Sequence, residues 1–261
     1  MNILETIILY KQEEVKKQKN KISVEKLLSS QNFKRKSLSL IQNLKKQDSS
    51  GIIAEFKRKS PSKGFINEHA DALEITNAYT KGGAAGLSIL TDTHFFGGST
   101  ADLITARENN IPILRKDFII DMYQIAEAKA MGADAILLIA ACLTPLQVQI
   151  LAQYAVSIGL EVLLELHEDA ELNHICNETI LIGVNNRNLK TFEVDTAAAL
   201  NLASKIPSTK IKVAESGISN LKILQQFKNA GFKGFLIGEL FMKATIPAVA
   251  FNNFVNKIKE L

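Results

Sequence analysis

The stretch DAILLIAACLTPLQVQILAQYAVSIGLEVLLEL, residues 134–166, decides the fold of this chain. Its two apolar runs, 134–139 and 160–166, have the length and composition of buried strands, and the segment between them is helix-like. Two parallel strands need a long crossover, usually a helix, and both faces of their sheet are covered. The stretch therefore predicts one β-α-β unit of a parallel α/β fold.

The same unit repeats along the chain from Gly51 onward. The eight strand-like runs are GIIAEFK (51–57), GLSILT (86–91), IPILRK (111–116), DAILLI (134–139), LEVLLEL (160–166), ILIGVN (180–185), KIKVAES (210–216) and GFLIG (234–238). Neighbouring runs start 20 to 35 residues apart, which predicts a helix in each interval. Eight such units predict one domain over residues 51–261, a closed (β/α)8 or TIM barrel. An open dinucleotide-binding sheet would carry GxGxxG after its first strand, where this chain has KRKSPSKG.

Residues 1–50 precede the barrel and carry an excess of positive charge. They hold 11 Lys or Arg against 5 Asp or Glu, whereas the whole chain holds 31 against 27. We interpret this segment as a helical extension with a solvated basic face, formed by Lys16, Lys17, Lys19 and Lys21. The apolar stripe that we expect to dock on the barrel is formed by Ile3, Ile7, Ile8 and Val15.

The composition of the 261 residues, 46% hydrophobic and 22% charged, is that of an ordinary globular protein. No apolar run approaches the roughly 20 residues that span a bilayer, and the N-terminus is unlike a secretory signal, so we expect a cytoplasmic protein. A basic stripe with interleaved aromatic residues is missing from the predicted barrel, which argues against nucleic-acid binding. Cys142 and Cys176 are far apart and the four histidines are scattered, so we expect neither a disulfide framework nor a metal site.

Polar residues stand at the ends of most predicted strands. In a barrel of this kind, the carboxyl ends of the strands and the loops beyond them form the active face. The charged and amide residues at these positions are Glu55, Lys57, Lys116, Glu165, Asn185, Arg187 and Glu215. Any one of the carboxylates, taken alone, is better explained as a structural partner for a lysine. Together, two lysines and three glutamates at one end of the barrel supply an acid and a base for proton transfer without a metal.

Small residues after the last two strands indicate an anion site. Ser216 and Gly217 follow the seventh strand, and Gly238 ends the eighth. Phosphate sites in these barrels commonly lie at these two loops, against a helix N-terminus. A simple turn is the alternative explanation for each glycine, but the place of both loops in the last two units favours phosphate.

Two other loops have two interpretations each. The loop after the first strand, RKSPSKGF, is either a solvated turn or a mobile cover that brings Lys59 or Lys63 to an anionic ligand. The loop after the second strand places Phe95 and Phe96 either in loop packing or against an apolar or aromatic part of a substrate. The sequence alone does not decide between the two interpretations of either loop.

Seven motifs carry a family resemblance. In chain order they are IIAEFKRKSPSKG (52–64), LTDTHFFGGS (90–99), ILRKDFIID (113–121), LLELH (163–167), IGVNNRNL (182–189), VAESGI (213–218) and LIGELFM (236–242). They resemble the indole-3-glycerol phosphate synthases of tryptophan biosynthesis, and the helical segment before the barrel resembles that family's extension. EFKRKSPS and KDFI are highly specific motifs, whereas ESGI is shared with many phosphate-binding barrels.

The resemblance implies a lyase that closes the indole ring of carboxyphenylamino-deoxyribulose 5-phosphate and releases carbon dioxide and water without a cofactor. By similarity, the general acid for ring closure is Lys116 and a general base is Glu165. The residues that assist closure and dehydration are Glu55 and Lys57. Those that orient the substrate's hydroxyls and its departing carboxylate are Asn185, Arg187 and Glu215.

The resemblance also implies the substrate-binding residues. The phosphate would be bound by Ser216, Gly217, Gly238 and the backbone of Glu239, with help from Lys57, and the anthranilate pocket would be lined by Pro61 and Phe96. Two positions depart from the family pattern. Glu239 stands where some members have Ser, so we expect only its N–H to contact phosphate, and Asn188 stands where Asp is common.

Two other functions fit parts of the pattern. A sugar-phosphate isomerase would use the phosphate loops but leave Lys116 and the Glu55–Lys57 pair without an evident use. A non-enzymatic phosphate-binding barrel would use residues 1–50 as an interaction arm. For the lyase we expect a sugar-phosphate anthranilate substrate, a monomeric chain, and other tryptophan-pathway enzymes as candidate protein partners. We expect neither nucleic acid nor membrane as a partner.

Overall fold

The computed structural model describes residues 3–61, 63–187 and 193–260. Its N-terminal extension consists of four helices, α1 (Ile3–Lys21), α2 (Val24–Leu28), α3 (Gln31–Lys34) and α4 (Leu40–Lys45). The predicted domain boundary at residue 50 falls between α4 and the first barrel strand, and it stays a prediction. Within the described ranges, no helix has both the length and the apolar character needed to cross a membrane.

The eight predicted strands form a closed barrel of parallel strands, which confirms the predicted (β/α)8 fold. The first strand, β1 (Ile52–Phe56), is followed by a short antiparallel hairpin, β2 (Lys59–Ser60) and β3 (Gly64–Phe65), which is separate from the barrel sheet. The other barrel strands are β4 (Gly86–Leu90), β5 (Ile113–Lys116), β6 (Ala135–Ile139), β7 (Glu161–Leu166), β8 (Leu181–Asn185), β9 (Ile211–Glu215) and β10 (Gly234–Ile237). The ring closes where β1 pairs with both β4 and β10.

Helices surround the barrel in the predicted alternation, with one exception. They are α5 (Ala72–Lys81), α6 (Thr100–Ala106), α7 (Met122–Met131), α8 (Pro145–Ser157), α9 (Thr196–Ser204), α10 (Leu221–Asn229), α11 (Glu239–Met242) and α12 (Pro247–Lys259). Between β7 and β8 the chain forms only a 3₁₀ helix, Asp169–His174, so the prediction of a helix in each interval was too broad. This interval is the shortest of the seven, which explains the smaller element.

Side-chain caps fix where six of the outer helices begin. Each cap accepts a hydrogen bond from a backbone N–H of the first helical turn, which would otherwise lack a partner. The six caps are Asp71, Ser99, Asp121, Thr144, Asp195 and Asn220. These starts also set the ends of the loops that follow the strands, and those loops form the active face.

The barrel strands alternate between two apolar layers, because successive side chains of a strand point to opposite faces. In β7, Val162 and Leu164 pack outward against the helices, whereas Leu163 lies inside the barrel. The inward residues that fill the barrel are Ile53, Leu114, Leu137, Leu163, Leu181, Val213 and Leu236. The interior is therefore a packed core rather than a pore, and it supports the side chains above it.

Helix α4 closes the amino-terminal end of the barrel. Leu40, at its start, is fully buried in the same apolar layer as the inward strand residues. Two acidic residues at the beginnings of strands bind this part of the extension. The Asp134 carboxylate lies 2.6 Å from the Arg35 guanidinium, and the Glu161 carboxylate accepts a hydrogen bond from the Ile41 N–H at 2.9 Å. These contacts stabilise the face of the barrel opposite the active face.

Helix α1 docks on the barrel through a stripe of residues four apart, Ile7, Lys11 and Val15. Ile7 and Val15 are buried, as predicted. Ile3 is 37% exposed, so the predicted stripe was wrong at this position, whereas Ile8 is half-buried. The residue that completes the stripe is a lysine, and its side chain is completely buried.

Lys11 forms ion pairs with two loops of the active face. Its Nζ lies 3.0 Å from Asp92 Oδ2, after β4, and 3.0 Å from Asp117 Oδ1, directly after β5. Burial opposes the charge of Lys11, but Asp117 and Asp92 outweigh that effect and raise its pKa. Asp117 is also paired with Arg115 at 3.1 Å. The extension therefore supplies one cation of a buried charge network next to Lys116.

We predict that Lys11→Ala lowers the free energy of unfolding by about 3–5 kcal/mol, because removal of one partner leaves buried carboxylates without their counter-charge. Urea denaturation followed by circular dichroism measures this change. The matched control is Lys19→Ala on the same helix. Lys19 pairs with Asp121 at 2.7 Å but is half-exposed, so its loss should cost less than about 1 kcal/mol. Equal losses for the two variants would contradict the buried role of Lys11.

Candidate active site

A polar layer lies directly above the apolar interior, at the carboxyl end of the barrel. Each of its members stands two residues beyond an inward residue of the same strand, or four in the case of Asn185, so each also points inward. The members, from five strands, are Glu55 on β1, Lys116 on β5, Glu165 on β7, Asn185 on β8 and Glu215 on β9. Parallel strands present this position at one end of the barrel, so residues far apart in sequence meet there.

Lys116 lies between two of the glutamates. Its Nζ donates a hydrogen bond to Glu165 Oε2 at 2.9 Å and lies 3.3 Å from Glu215 Oε2. The other oxygen of Glu165 accepts a hydrogen bond from Asn185 Nδ2 at 2.9 Å. Both carboxyl groups are almost completely buried, so the ammonium group is their main compensation.

The two glutamates have opposite pKa shifts. Burial raises the pKa of Glu165, but Lys116, and after it His167 and Asn185, outweigh burial and hold that pKa well below its ordinary value. Burial raises the pKa of Glu215 to about 8, and the charge of Glu165 adds to the effect while Lys116 opposes it. Burial also opposes the charge of Lys116, but its carboxylate neighbours raise its pKa. At neutral pH the cluster therefore holds an ammonium, a carboxylate and a neutral carboxyl group.

Two glycines leave space for the carboxyl groups. A Cβ atom added to Gly183 would lie 2.0 Å from Glu215 Oε1, and one added to Gly238 would lie 2.6 Å from Glu55 Oε1. Any side chain at either position would displace the carboxyl group beside it. Gly238, predicted as a phosphate-binding residue, thus also leaves room for the Glu55 carboxyl group.

The loop after β1 is a hairpin with an anchored base, and both interpretations of it, a solvated turn and a mobile cover, stay predictions. Its base is fixed by Arg58, whose Nη1 and Nη2 lie 2.6 and 2.9 Å from the two carboxylate oxygens of Asp102. Next to this anchor, Lys57 Nζ lies 2.5 Å from Glu55 Oε1. Pro61, in the same loop, lines the cavity above the polar layer. The hairpin therefore forms one wall of the site.

The two phenylalanines of the loop after β4 have different environments. Phe96 lines the cavity, and its ring lies 5.9 Å from that of Phe118. Phe95 packs away from the cavity in an aromatic group with Tyr10 of α1 and His94, at ring distances of 5.7 and 4.7 Å. Of the two interpretations made from sequence, loop packing applies to Phe95 and a place in the site applies to Phe96.

The predicted phosphate loops lie at the opposite side of the cavity. Ser216 and Gly217 both have left-handed backbone conformations, with φ of 63° and 70°, and such turns can direct successive N–H groups into an anion site. Glu239 lies next to them and is already paired, since its carboxylate is 2.6 Å from Lys63 Nζ and 3.9 Å from Arg187 Nη2. Burial opposes its charge, but Lys63 outweighs burial and lowers its pKa.

All thirteen predicted site residues line this one cavity, although their individual roles stay predictions. Asn188 falls outside the described residues. The structure adds lining residues that the sequence did not single out, Ser60, Asp92, Asp117, Phe118 and Ile218. The structure also shows His167 in contact with Glu165, on the side away from the cavity. The sequence ELH could have indicated this contact, because residues two apart on a strand point to the same side. In the described ranges, no three His, Cys, Asp or Glu residues are grouped so as to hold a metal ion.

These features define a class: a (β/α)8 barrel enzyme with an acid–base cluster beside phosphate-type loops. The model of the family "Indole-3-glycerol phosphate synthase" matches residues 4–254. The indole-3-glycerol phosphate synthase of Bacteroides thetaiotaomicron is 49% identical over 259 residues, which cover 99% of each chain. That of Aliarcobacter butzleri is 42% identical over 252 residues, 95% of each chain.

The chain therefore belongs to the indole-3-glycerol phosphate synthase family. Membership confirms the resemblance carried by the seven motifs and the predicted lyase activity in tryptophan biosynthesis, and it favours that activity over the isomerase and the non-enzymatic barrel.

More distant solved structures support the fold alone. A chain of the tryptophan synthase α2β2 complex of Pyrococcus furiosus has a TM-score of 0.60 at 15% identity, covering 82% of this chain and 99% of its own. Thiamine phosphate pyrophosphorylase from the same organism has a TM-score of 0.59 at 14% identity, covering 82% of this chain and 98% of its own.

We predict that Gly183→Ala lowers kcat/KM by about 10²-fold with little loss of stability, because the new Cβ displaces only the end of the Glu215 side chain. The control is Gly234→Ala at the other end of the barrel, where a Cβ meets Val213 Cγ2 at 2.9 Å. That variant should lose about 1–3 kcal/mol of stability by overpacking and keep its activity per folded molecule. Steady-state kinetics and urea denaturation of both variants measure the difference, and full activity in Gly183→Ala would contradict the prediction.

Proposed function

We propose that this chain closes the indole ring of carboxyphenylamino-deoxyribulose 5-phosphate and forms indole-3-glycerol phosphate, carbon dioxide and water. The observation that carries the proposal is the 2.9 Å hydrogen bond from Lys116 to Glu165 in the polar layer. This pair provides a proton donor and a proton acceptor beside one reacting centre. Membership of the family supports the choice of substrate.

Ring closure requires a proton for the ketone oxygen. The anthranilate ring carbon that bears the carboxylate bonds to the ketone carbon, and the electron pair of the C=O bond moves to oxygen. In the proposal, that oxygen takes its proton from the Lys116 ammonium. Neighbouring carboxylates raise the pKa of Lys116, so the proton leaves only when the oxygen becomes strongly basic during attack.

Decarboxylation and dehydration follow. The bond to the carboxylate breaks, carbon dioxide leaves, and the released electron pair restores the aromatic ring. The hydroxyl on the former ketone carbon then takes a proton from a general acid, in this proposal the Lys57 ammonium, and leaves as water. A base takes a proton from the carbon next to nitrogen, which forms the second indole double bond. We assign the base to ionised Glu165, and we assign assistance in closure and dehydration to Lys57 and its partner Glu55.

Substrate binding uses both sides of the cavity. We place the phosphate at Ser216 and Gly217, where left-handed backbone supports anion binding, and at Gly238 and the backbone N–H of Glu239. The carboxylate of Glu239 is already occupied by Lys63, which agrees with a purely backbone contact. We place the anthranilate ring against two residues of the opposite wall, Pro61 and Phe96.

The neutral carboxyl group of Glu215 suits a substrate that carries two negative groups. With Asn185 and Arg187, it would orient the substrate's hydroxyls and its departing carboxylate. A protonated carboxyl group donates a hydrogen bond to a carboxylate, whereas an ionised one would repel it. We also propose a monomer as the working unit, because one chain supplies both the acid–base cluster and the predicted phosphate loops. Protein partners from the same pathway stay an expectation.

We predict that Lys116→Ala lowers turnover by at least about 10²-fold, because the positioned proton donor is lost. The growth of indole fluorescence after addition of the substrate to pure protein measures turnover, and its absence in the wild-type protein would refute the proposed function. A Lys116→Ala variant that retains more than about a tenth of wild-type turnover would refute the role of this lysine.

The matched control is Lys212→Ala on β9. Lys212 also lies on a barrel strand, but its Nζ donates a hydrogen bond to the Ala230 carbonyl at 2.9 Å, outside the site. This variant should keep nearly full turnover. Far-UV circular dichroism of both variants tests that the barrel is retained.

We predict that kcat/KM of the wild-type enzyme falls as pH rises through about 8, since Glu215 then becomes ionised and repels the substrate. Between the acid limb of the profile and this pH, the carboxyl group is neutral and the rate is maintained. Glu215→Gln keeps a hydrogen-bond donor but does not ionise, so its profile should lack this fall. A pH–rate profile of the two proteins tests the prediction, and an unchanged basic limb in Glu215→Gln would contradict it.

A further inference from the structure

His167 lies directly behind the proposed general base. It is the first residue after β7, two positions beyond Glu165, and the two side chains lie on the same side of the chain. Its Nε2 lies 3.2 Å from Glu165 Oε1, and its Nδ1 lies 3.7 Å from Glu171 Oε2. The ring is mostly buried, with 13% of the side chain exposed.

The geometry favours a doubly protonated ring. A neutral imidazole has one N–H donor and one acceptor, so one of its nitrogens would face a carboxylate oxygen with a lone pair. In the described part of the chain, neither ring nitrogen finds a hydrogen-bond partner of ordinary geometry, so the two carboxylates are its polar neighbours. Burial opposes the charge of His167, but Glu165 and Glu171 outweigh burial and raise its pKa to about 10.

Glu171 fixes the outer side of the ring. One of its carboxylate oxygens accepts hydrogen bonds from the backbone N–H groups of His167 at 2.5 Å and Glu168 at 3.3 Å. These bonds close the start of the 3₁₀ helix Asp169–His174. Backbone N–H groups therefore hold the Glu171 carboxylate in place. The His167 ring lies between this carboxylate and that of Glu165.

The charged and titratable groups that surround the Glu165 carboxylate come from several elements. They are Lys116 from β5, the thiol of Cys142 after β6, His167 after β7 and Glu215 from β9, with Glu55 of β1 acting on Lys116. Lys116 and His167 are the two cations of this set. When Lys116 gives its proton to the ketone oxygen, the charge that remains beside Glu165 is that of His167.

We propose that His167 is a positioning residue that keeps Glu165 ionised and oriented after Lys116 has lost its proton. This inference rests on the function proposed above. Ring closure transfers one proton from Lys116 Nζ to the ketone oxygen, and a lone buried carboxylate would then tend to take a proton from its surroundings. A fixed imidazolium prevents this, so Glu165 can accept the carbon-bound proton in the dehydration step.

The kinetic test compares His167→Gln with the wild-type enzyme. Glutamine keeps a hydrogen-bond donor near Glu165 but carries no charge. We expect kcat to fall about 10-fold with little change in KM, because His167 does not line the cavity. The pKa of Glu165 should rise, so the acid limb of the kcat profile should move upward by about one pH unit or more. An unmoved limb would overturn the proposal.

His174 provides the matched control. It is a second buried histidine, at the end of the 3₁₀ helix that follows His167, but its ring nitrogens lie 3.1 and 2.8 Å from the backbone carbonyl oxygens of Glu171 and Leu143. His174→Gln should lower stability without moving the acid limb. If both variants shift the limb equally, the effect comes from the fold of this segment and the proposal is wrong.

An NMR titration separates this proposal from the proposed function, since it needs no substrate. The chain has four histidines, and the signal missing from His167→Gln identifies His167. We expect an imidazolium that persists at pH 8 in the wild-type protein. A ring that titrates near its ordinary value of about 6.5 would overturn the positioning role, whether or not indole is formed. Absence of indole formation together with a persistent imidazolium would refute the function and leave the charge of His167 established.

Discussion

The structure of the site depends on one ammonium group shared by two buried carboxyl groups. Lys116 is the link between Glu165 and Glu215, and neither carboxyl group has much access to water. Burial favours the neutral form of both, but the closer contact with the cation keeps one of them ionised. Two chemically identical side chains thus acquire different protonation states from their surroundings, as acid–base catalysis requires.

The barrel makes this arrangement possible because it fixes the groups on strands. Strand residues have little freedom once both faces are packed, so distances between the charged atoms are set by the sheet rather than by loops. The apolar layer below, with residues such as Leu163, packs directly under the cluster. The lack of a side chain at Gly183 is equally important, because the Glu215 carboxyl group occupies the space that such a side chain would fill.

Strand periodicity was sufficient to predict the barrel and to bring the polar strand ends together. In LEVLLEL, alternation alone indicates that Glu165 points the same way as Leu163, and the carboxyl end is the active end of any such barrel. Strands of two residues show no period, so the hairpin after β1 was missed. Lys11 was missed because a lysine on a surface helix usually lies in solvent, and its acidic partners belong to distant units. The contact of His167 with Glu171 depends on a 3₁₀ turn that sequence spacing does not show.

The pairing of Lys11 with Asp117 has a consequence for synthesis of the chain. Helix α1 leaves the ribosome well before β5, so its lysine has no buried acidic partner until the barrel has grown past that strand. The ion pair between α1 and the loop after β5 therefore forms late. It joins residues that are far apart in sequence, and contacts of this kind slow folding. During that interval, Ile7 and Val15 of α1 lack the surface against which they are buried in the folded protein.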